Sequence, residues 1–188
     1  MGRTGPLHRR SPRLYALRLG QDDPRKCTSG KLSRFGLLVE VGRPSSIPRR
    51  AILLDPFSDR VLTPGDRELL LEGGLAAVDC SWERAEEVFS KRIPGIHRRL
   101  PLLMAANPTK FAKPGVLSSA EALAAALFIT GFKPLARRLL GKFKWGGTFF
   151  DLNRDPLRYY SMAGDEARIR AEEAEIFGFE GGMGLEEA

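Results

Sequence analysis

The stretch Gly74-Leu-Ala-Ala-Val-Asp-Cys-Ser-Trp82 decides how the rest of the chain is read. Small and branched apolar residues run without interruption to Val78. Asp79 then stands where a buried strand ends, and Ser81 is placed to cap a helix opening at Trp82-Glu83-Arg84. In open α/β sheets the loops outside the carboxyl ends of the strands hold the ligand, so a carboxylate at such an end is placed to meet one. The segment Leu100-Pro-Leu-Leu-Met-Ala-Ala-Asn107-Pro108 repeats the pattern of apolar run, polar residue and turn. It predicts a second strand whose end shares the same pocket.

Outward from these two stretches, Arg13 to Leu19 alternates like a first strand, and the loop from Gln21 runs through Thr28-Ser29-Gly30 into a short helix. Backbone N–H groups near Thr28 would approach a bound carboxylate or phosphate closely, although the loop lacks the spacing of a nucleotide-phosphate loop. Phe35 to Val41 fits a helix end or a strand equally well, and Ala51 to Leu54 reads as a buried strand. Thr63-Pro64-Gly65-Asp66 starts a helix that stops at Gly73-Gly74.

After a helix from Trp82 to Phe89, a loop is predicted to carry Lys91-Arg92 and His97-Arg98-Arg99. Ser118 or Ser119 caps a helix with Glu121 in its first turn, and Ala122 to Ile129 is apolar enough to be buried on most sides. A basic helix follows over Phe132 to Phe143, then a turn over Trp145 to Phe150, then helices over 155–162 and 164–177. The domain reading is a flexible basic extension (1–12), an α/β domain (13–99), a mostly helical domain completing the pocket (100–177) and a loose tail (178–188).

Charge is unevenly spread. Residues 1–50 hold twelve Lys and Arg against three Asp and Glu, whereas residues 151–188 hold four against ten. A basic amino-terminal and central surface suits a polyanion, nucleic acid first. No apolar run is long enough to cross a membrane, and the amino terminus lacks the apolar core of a signal peptide, so a cytoplasmic protein is expected. Cys27 and Cys80 are too few for a disulfide framework or a four-cysteine metal site, and no His, Cys and Asp cluster has ligand spacing; no metal is expected.

The residues also carry a resemblance. Lys26-Cys27-Thr28 with Lys31-Leu32, Leu62-Thr63-Pro64 with Asp66-Arg67, Val78-Asp79-Cys80-Ser81-Trp82, Arg99-Leu100-Pro101 with Ala105-Ala106-Asn107-Pro108, Leu117-Ser118 with Glu121-Ala122-Leu123, and Phe143-Lys144-Trp145-Gly146 stand in the order found in one family. Over about residues 13 to 162 the chain resembles the archaeal aminocarboxypropyltransferases that modify small-subunit ribosomal RNA during ribosome maturation. The resemblance implies an α/β fold with a SPOUT-like, trefoil-knotted sheet in the amino-terminal half and a helical carboxy-terminal half. It also implies S-adenosylmethionine as co-substrate, with its 3-amino-3-carboxypropyl group passed to N3 of a modified pseudouridine. The partner is then small-subunit ribosomal RNA or the pre-ribosomal subunit, met by a monomer without a membrane.

Matched to the family, Leu102 and Leu117 flank adenine in an apolar slot closed by backbone contacts. Thr28 holds the amino-acid end, Val78 and Asp79 lie beneath the ligand, and Trp82 offers its ring face to the sulfonium. Ser118 and Glu121 belong to the same binding set. Asp79 has three readings: orienting the ligand's polar groups, accepting the N3 proton, or capping structure alone. Lys26, Lys31, Arg92, Arg98 and Arg99 are the RNA contacts if they share a face. A methyltransferase using the same pocket, and a non-catalytic RNA-binding assembly factor, remain as alternatives.

Overall fold

The computed structural model describes residues 11–19 and 27–178. Five strands, β1 (Leu14–Arg18), β2 (Val39–Val41), β3 (Ile52–Leu54), β4 (Leu75–Asp79) and β5 (Ile96–Arg98), form one sheet in the order β2-β1-β4-β3-β5, and every pairing is parallel. Parallel neighbours need crossover connections. Helices α1 (Thr28–Arg34), α2 (Arg67–Gly73) and α3 (Ala85–Phe89) lie in three of them.

The organising stretch behaves as its composition requires. β4 pairs on both sides, with Ala16 opposite Ala77 and Leu53 opposite Ala76, and its Leu75, Ala76 and Ala77 are buried. Its approach depends on glycine. A Cβ at Gly73 would sit 1.8 Å from the Arg50 carbonyl oxygen, and Gly74 has φ +91°, a region that side chains disfavour. Before α2, Thr63 and Asp66 close a reciprocal capping box in which Thr63 N–H donates to Asp66 Oδ2 at 3.0 Å.

The rest of the chain is helical: α4 (Ser119–Ile129), α5 (Lys133–Leu140), α6 (Gly146–Leu152), α7 (Arg154–Met162) and α8 (Glu166–Phe177). The alanine-rich α4 packs against β4, α1, α5 and α7 at once, as its lack of a polar face demands. One apolar cluster joins Leu14, Ile52 and Leu75 of the sheet to Leu123, Leu139, Tyr160 and Ile169 of the helices. A smaller one, with Leu17, Leu53, Ala76, Val88 and Ile93, covers the other face. The alternation of Ile52 and Leu53, and of Leu75 and Ala76, between the two clusters is that of strands covered on both sides.

Five expectations need correction or refinement. The SPOUT-like, trefoil-knotted sheet is replaced by a five-stranded, all-parallel sheet with helices, and a knot is not shown. Threading came with the resemblance alone, because no local sequence feature encodes it. The predicted strand over Leu100 to Asn107 is not one. Its backbone is satisfied by side chains from later in the chain instead: Leu102 N–H donates to Glu173, Met104 N–H to Asn153, and Ala106 and Asn107 N–H to Glu121. The fifth strand is Ile96–Arg98, where a basic loop is predicted; three residues with polar neighbours give too little apolar signal at a sheet edge. Val39–Val41 resolves as the opposite edge strand, and the turn predicted over Trp145 to Phe150 is largely helix, α6 beginning at Gly146. That glycine is required because a Cβ there would meet the Leu140 carbonyl oxygen at 2.0 Å.

Candidate active site

A cleft of about 1250 Å³ opens at the carboxyl edge of the sheet. Leu54 and Asp55 line it at the end of β3, Val78 to Trp82 at the end of β4, and Arg99 to Leu102 after β5. Its far wall is the segment from Pro114 to Ser119 that leads into α4. Parallel strands end on one side, which brings residues far apart in sequence to a common rim.

Asp79 is the polar centre. Its Oδ2 accepts from the Cys27 thiol and the Ser29 hydroxyl, both at 2.7 Å, and its Oδ1 accepts from the Ser119 hydroxyl at 3.2 Å. The Ala120 N–H donates to Thr28 Oγ1 at 3.3 Å. The carboxylate therefore ties the first turns of α1 and α4 to the end of β4, and Thr28 and Ser118 are held at the cleft by that tie. Burial first, then the hydrogen bond to the Asp79 carboxylate, pushes the Cys27 thiol above its usual range, which keeps it a donor. Cys27 also caps α1, accepting from Gly30 N–H at 3.2 Å.

The apolar side is as firmly set. The Trp82 indole N–H donates to the Leu117 carbonyl at 3.1 Å, fixing the edge of the ring against the backbone of that leucine. Leu102 is pinned through its backbone: its N–H donates to Glu173 Oε1 at 2.7 Å and its carbonyl accepts from the Tyr160 hydroxyl at 3.1 Å. Burial, with Glu173 nearby, holds the Tyr160 phenol well above its usual range, so it stays neutral and donating.

Thr28, Val78, Asp79, Trp82, Leu102, Leu117 and Ser118 thus meet at one cleft. Glu121 does not line it. Fully buried, its carboxylate accepts from Ala106, Asn107 and Ser118 N–H, from Asn107 Nδ2 and from Ser118 Oγ, all at 2.7 to 2.9 Å. It shapes two walls from behind.

The basic candidates separate. Lys31 lines the cleft, with its Nζ 4.8 Å from the centre of the Phe143 ring. Arg99 lines it too, but is paired with Glu173 at 2.8 Å. Arg98 is paired with Asp66 at 3.2 Å, Arg92 is exposed away from the cleft lining, and Lys26 lies outside the described residues. His97 sits between Asp55 Oδ2 at 2.7 Å and the Ile93 carbonyl at 2.9 Å, a strut beneath the rim. Ser29, Ser119 and Glu173 escaped the sequence reading. Their partners lie 40 to 74 residues away, and nothing local marks them.

Residues 52–177 match the family described as "Ribosome biogenesis protein, C-terminal". A protein from Vulcanisaeta distributa named 16S rRNA aminocarboxypropyltransferase is 49% identical over 156 residues, 82% of this chain and 84% of its own. One of the same name from Methanosarcina mazei is 45% identical over 158 residues, 83% and 90% of the two chains. The chain belongs to the 16S rRNA aminocarboxypropyltransferase family. A solved member, described as the SAM-dependent rRNA:acp-transferase Tsr3 from Vulcanisaeta distributa, superimposes with a TM-score of 0.83 at 47% identity, covering 89% of each chain.

Residues 12–44 also match a family described as "Possible Fer4-like domain in RNase L inhibitor, RLI". The residues here do not fit an iron–sulfur cluster. Such a cluster takes four thiolates, and Cys27 is the single cysteine of that span. The described residues contain no group of three or more His, Cys, Asp and Glu able to hold a metal, and the span's strand, helix and strand belong to the α/β sheet.

Proposed function

We propose that this chain transfers the 3-amino-3-carboxypropyl group of S-adenosylmethionine to N3 of a modified pseudouridine in small-subunit ribosomal RNA, as a step of ribosome maturation. The supporting observation is the convergence of Thr28, Val78, Asp79, Trp82, Leu102, Leu117 and Ser118 on one cleft, in a chain that shares most of its length with enzymes of that name.

The sulfonium supplies an electrophilic carbon on each of its three arms, and the arm in line with the nucleophile is the one transferred. Selecting the longest arm is therefore a matter of pose. Leu102 and Leu117 offer apolar surface for the adenine, by their side chains, since the Leu102 backbone groups are already engaged. Trp82, whose polar edge is spent on Leu117, has only its ring face left for a cation. Thr28, Ser118 and Asp79 supply the polar end for an amino acid. In the transfer, a bond forms from N3 to the γ-carbon as the carbon–sulfur bond breaks. The electron pair stays on sulfur, giving methylthioadenosine, and the N3 proton leaves. Asp79 already accepts three hydrogen bonds, so its first task is orientation, with the proton passing to water.

No helix of the described residues is long and apolar enough to cross a membrane. Action as a cytoplasmic monomer on the pre-ribosomal subunit completes the proposal. The test is RNA-dependent turnover of S-adenosylmethionine: methylthioadenosine as co-product supports it, and S-adenosylhomocysteine overturns it in favour of methyl transfer.

A further inference from the structure

Several of the cations at the cleft are already spent. Arg99 is held by Glu173, Arg170 by Glu166, and Arg98, beside Arg99 in sequence, by Asp66. Of the other cations in the lining, Lys110, Lys31 and Arg34 have no carboxylate partner among the described residues, and the last two, on α1, stand with Lys144, between Phe143 and Trp145 after α5. Rings and ammonium groups interleave there. Lys142 Nζ lies 4.7 Å from the centre of the Phe35 ring, Lys31 Nζ lies 4.8 Å from that of Phe143, and Phe143 pairs with Trp145 at 4.9 Å between centroids. Phe35 is 52% exposed at the end of α1, and Lys31, Arg34, Phe143 and Trp145 also line the cleft. The lining contributed by the loops after β3 and β4 and by α8 carries Asp55, Asp59, Glu83 and Glu173 instead.

A cleft with acids on one side and unpaired cations on the other admits a polyanion from the cationic side. Interleaved aromatic faces select its kind, since only unpaired bases offer a face to stack, whereas a duplex presents its edges and backbone. We propose that the face formed by Phe35, Lys142, Lys31, Phe143 and Trp145 receives a single-stranded RNA stretch flanking the target nucleotide. Its phosphates lie against Lys31, Arg34 and Lys144, and an unpaired base lies against Trp145. This rests on the reading of the cleft as an RNA-modifying centre and names the side from which the RNA enters it.

The test measures binding of a fluorescein-labelled single-stranded RNA oligonucleotide of mixed sequence to the full chain across a salt series, with S-adenosylmethionine binding followed separately by calorimetry. The double variant Arg34→Glu/Lys144→Glu loses about tenfold or more in RNA affinity at about 0.1 M salt, and its salt slope flattens by roughly 1.4 as two phosphate contacts disappear. Arg84→Glu, beside the acidic Glu83, leaves RNA affinity within about twofold, since a charge remote from the path releases no phosphate counterions. Trp145→Ala loses roughly five- to a hundredfold with the slope unchanged, and Trp145→Phe recovers most of it. S-adenosylmethionine binding stays at the parent value in Arg84→Glu, whose side chain lies outside the cleft lining. The proposal is overturned if Arg84→Glu costs as much as the double variant, or if the parent fails to bind the oligonucleotide. Parent-like RNA binding by Trp145→Ala overturns it too, and if that variant does not fold, the charge comparison decides alone. A parent that binds the RNA as described but gives no heat with S-adenosylmethionine would sink the reading of the cleft and leave this surface standing.

Discussion

Replacing Glu121 by alanine tests whether the cleft is built from behind. Four N–H groups and the Ser118 hydroxyl converge on its carboxylate, which has no exposure to solvent. Truncation leaves a cavity that water enters to restore some of these bonds, while the hydroxyl rotates away. With two donors left unpaired at about 1–3 kcal/mol each, the loss is about 4 kcal/mol. For a chain of this size each kcal/mol shifts the melting temperature by about 2–4 °C, so a drop of roughly 10 °C is expected. Glu121→Gln keeps the shape but turns an amide N–H₂ toward donors, and is expected to lose about half as much. Because Asn107 and Ser118 line the cleft and are held by this carboxylate, S-adenosylmethionine affinity should fall with stability in both variants. Thermal melts and calorimetric titration check both effects. A Glu121→Ala protein melting within about 2 °C of the parent, a shift worth about 1 kcal/mol or less, would refute the reasoning.

Asp79→Ala unties α1 from α4 and should cost about 2 kcal/mol of stability, seen in urea unfolding, with at least a tenfold loss of S-adenosylmethionine affinity. Asp79→Asn separates orientation from proton transfer: a weaker affinity with single-turnover rate retained at saturation supports orientation, and the reverse pattern makes Asp79 the base. For Cys27, the thiol is raised in the folded state, so its contribution to stability is complete below the ordinary thiol pKa of about 8.5 and is lost as pH rises toward the folded value. The urea midpoint of the parent should accordingly fall more steeply above pH 8.5 than that of Cys27→Ser, in a series read by circular dichroism. Gly73→Ala forces a methyl into the Arg50 carbonyl and should lose about 3 kcal/mol or more, visible as poor soluble yield or a sharply lowered melting temperature.

What the sequence reveals and what it hides follow physical lines. β4 is legible because apolar character rises to Asp79 and stops, and α4 because Ser118 and Glu121 form a capping box ahead of an alanine-rich run. The first segments of both walls of the cleft are therefore readable. The Leu100 to Asn107 segment misleads because apolar residues fit a strand, while the groups that satisfy its backbone, Glu121, Asn153 and Glu173, arrive from α4, from the junction of α6 and α7, and from α8. Arg98 and Arg99 look like RNA contacts in a basic run until the fold brings Asp66 and Glu173 against them. Partners so distant leave no periodic trace, and neither does the coupling of Asp79 to Cys27 and Ser29 across 50 residues and more. The motifs around Thr28, Trp82, Leu102 and Leu117 are individually ordinary; their chemistry is visible through their shared order along the chain.

The central claim is that this cleft turns the longest arm of a sulfonium toward RNA. Incubating the chain and small-subunit ribosomal RNA with S-adenosylmethionine labelled at the carboxyl carbon, and in parallel with the methyl-labelled form, tests it directly. Carboxyl label alone entering the RNA is the predicted result; methyl label entering it, or neither, contradicts the account.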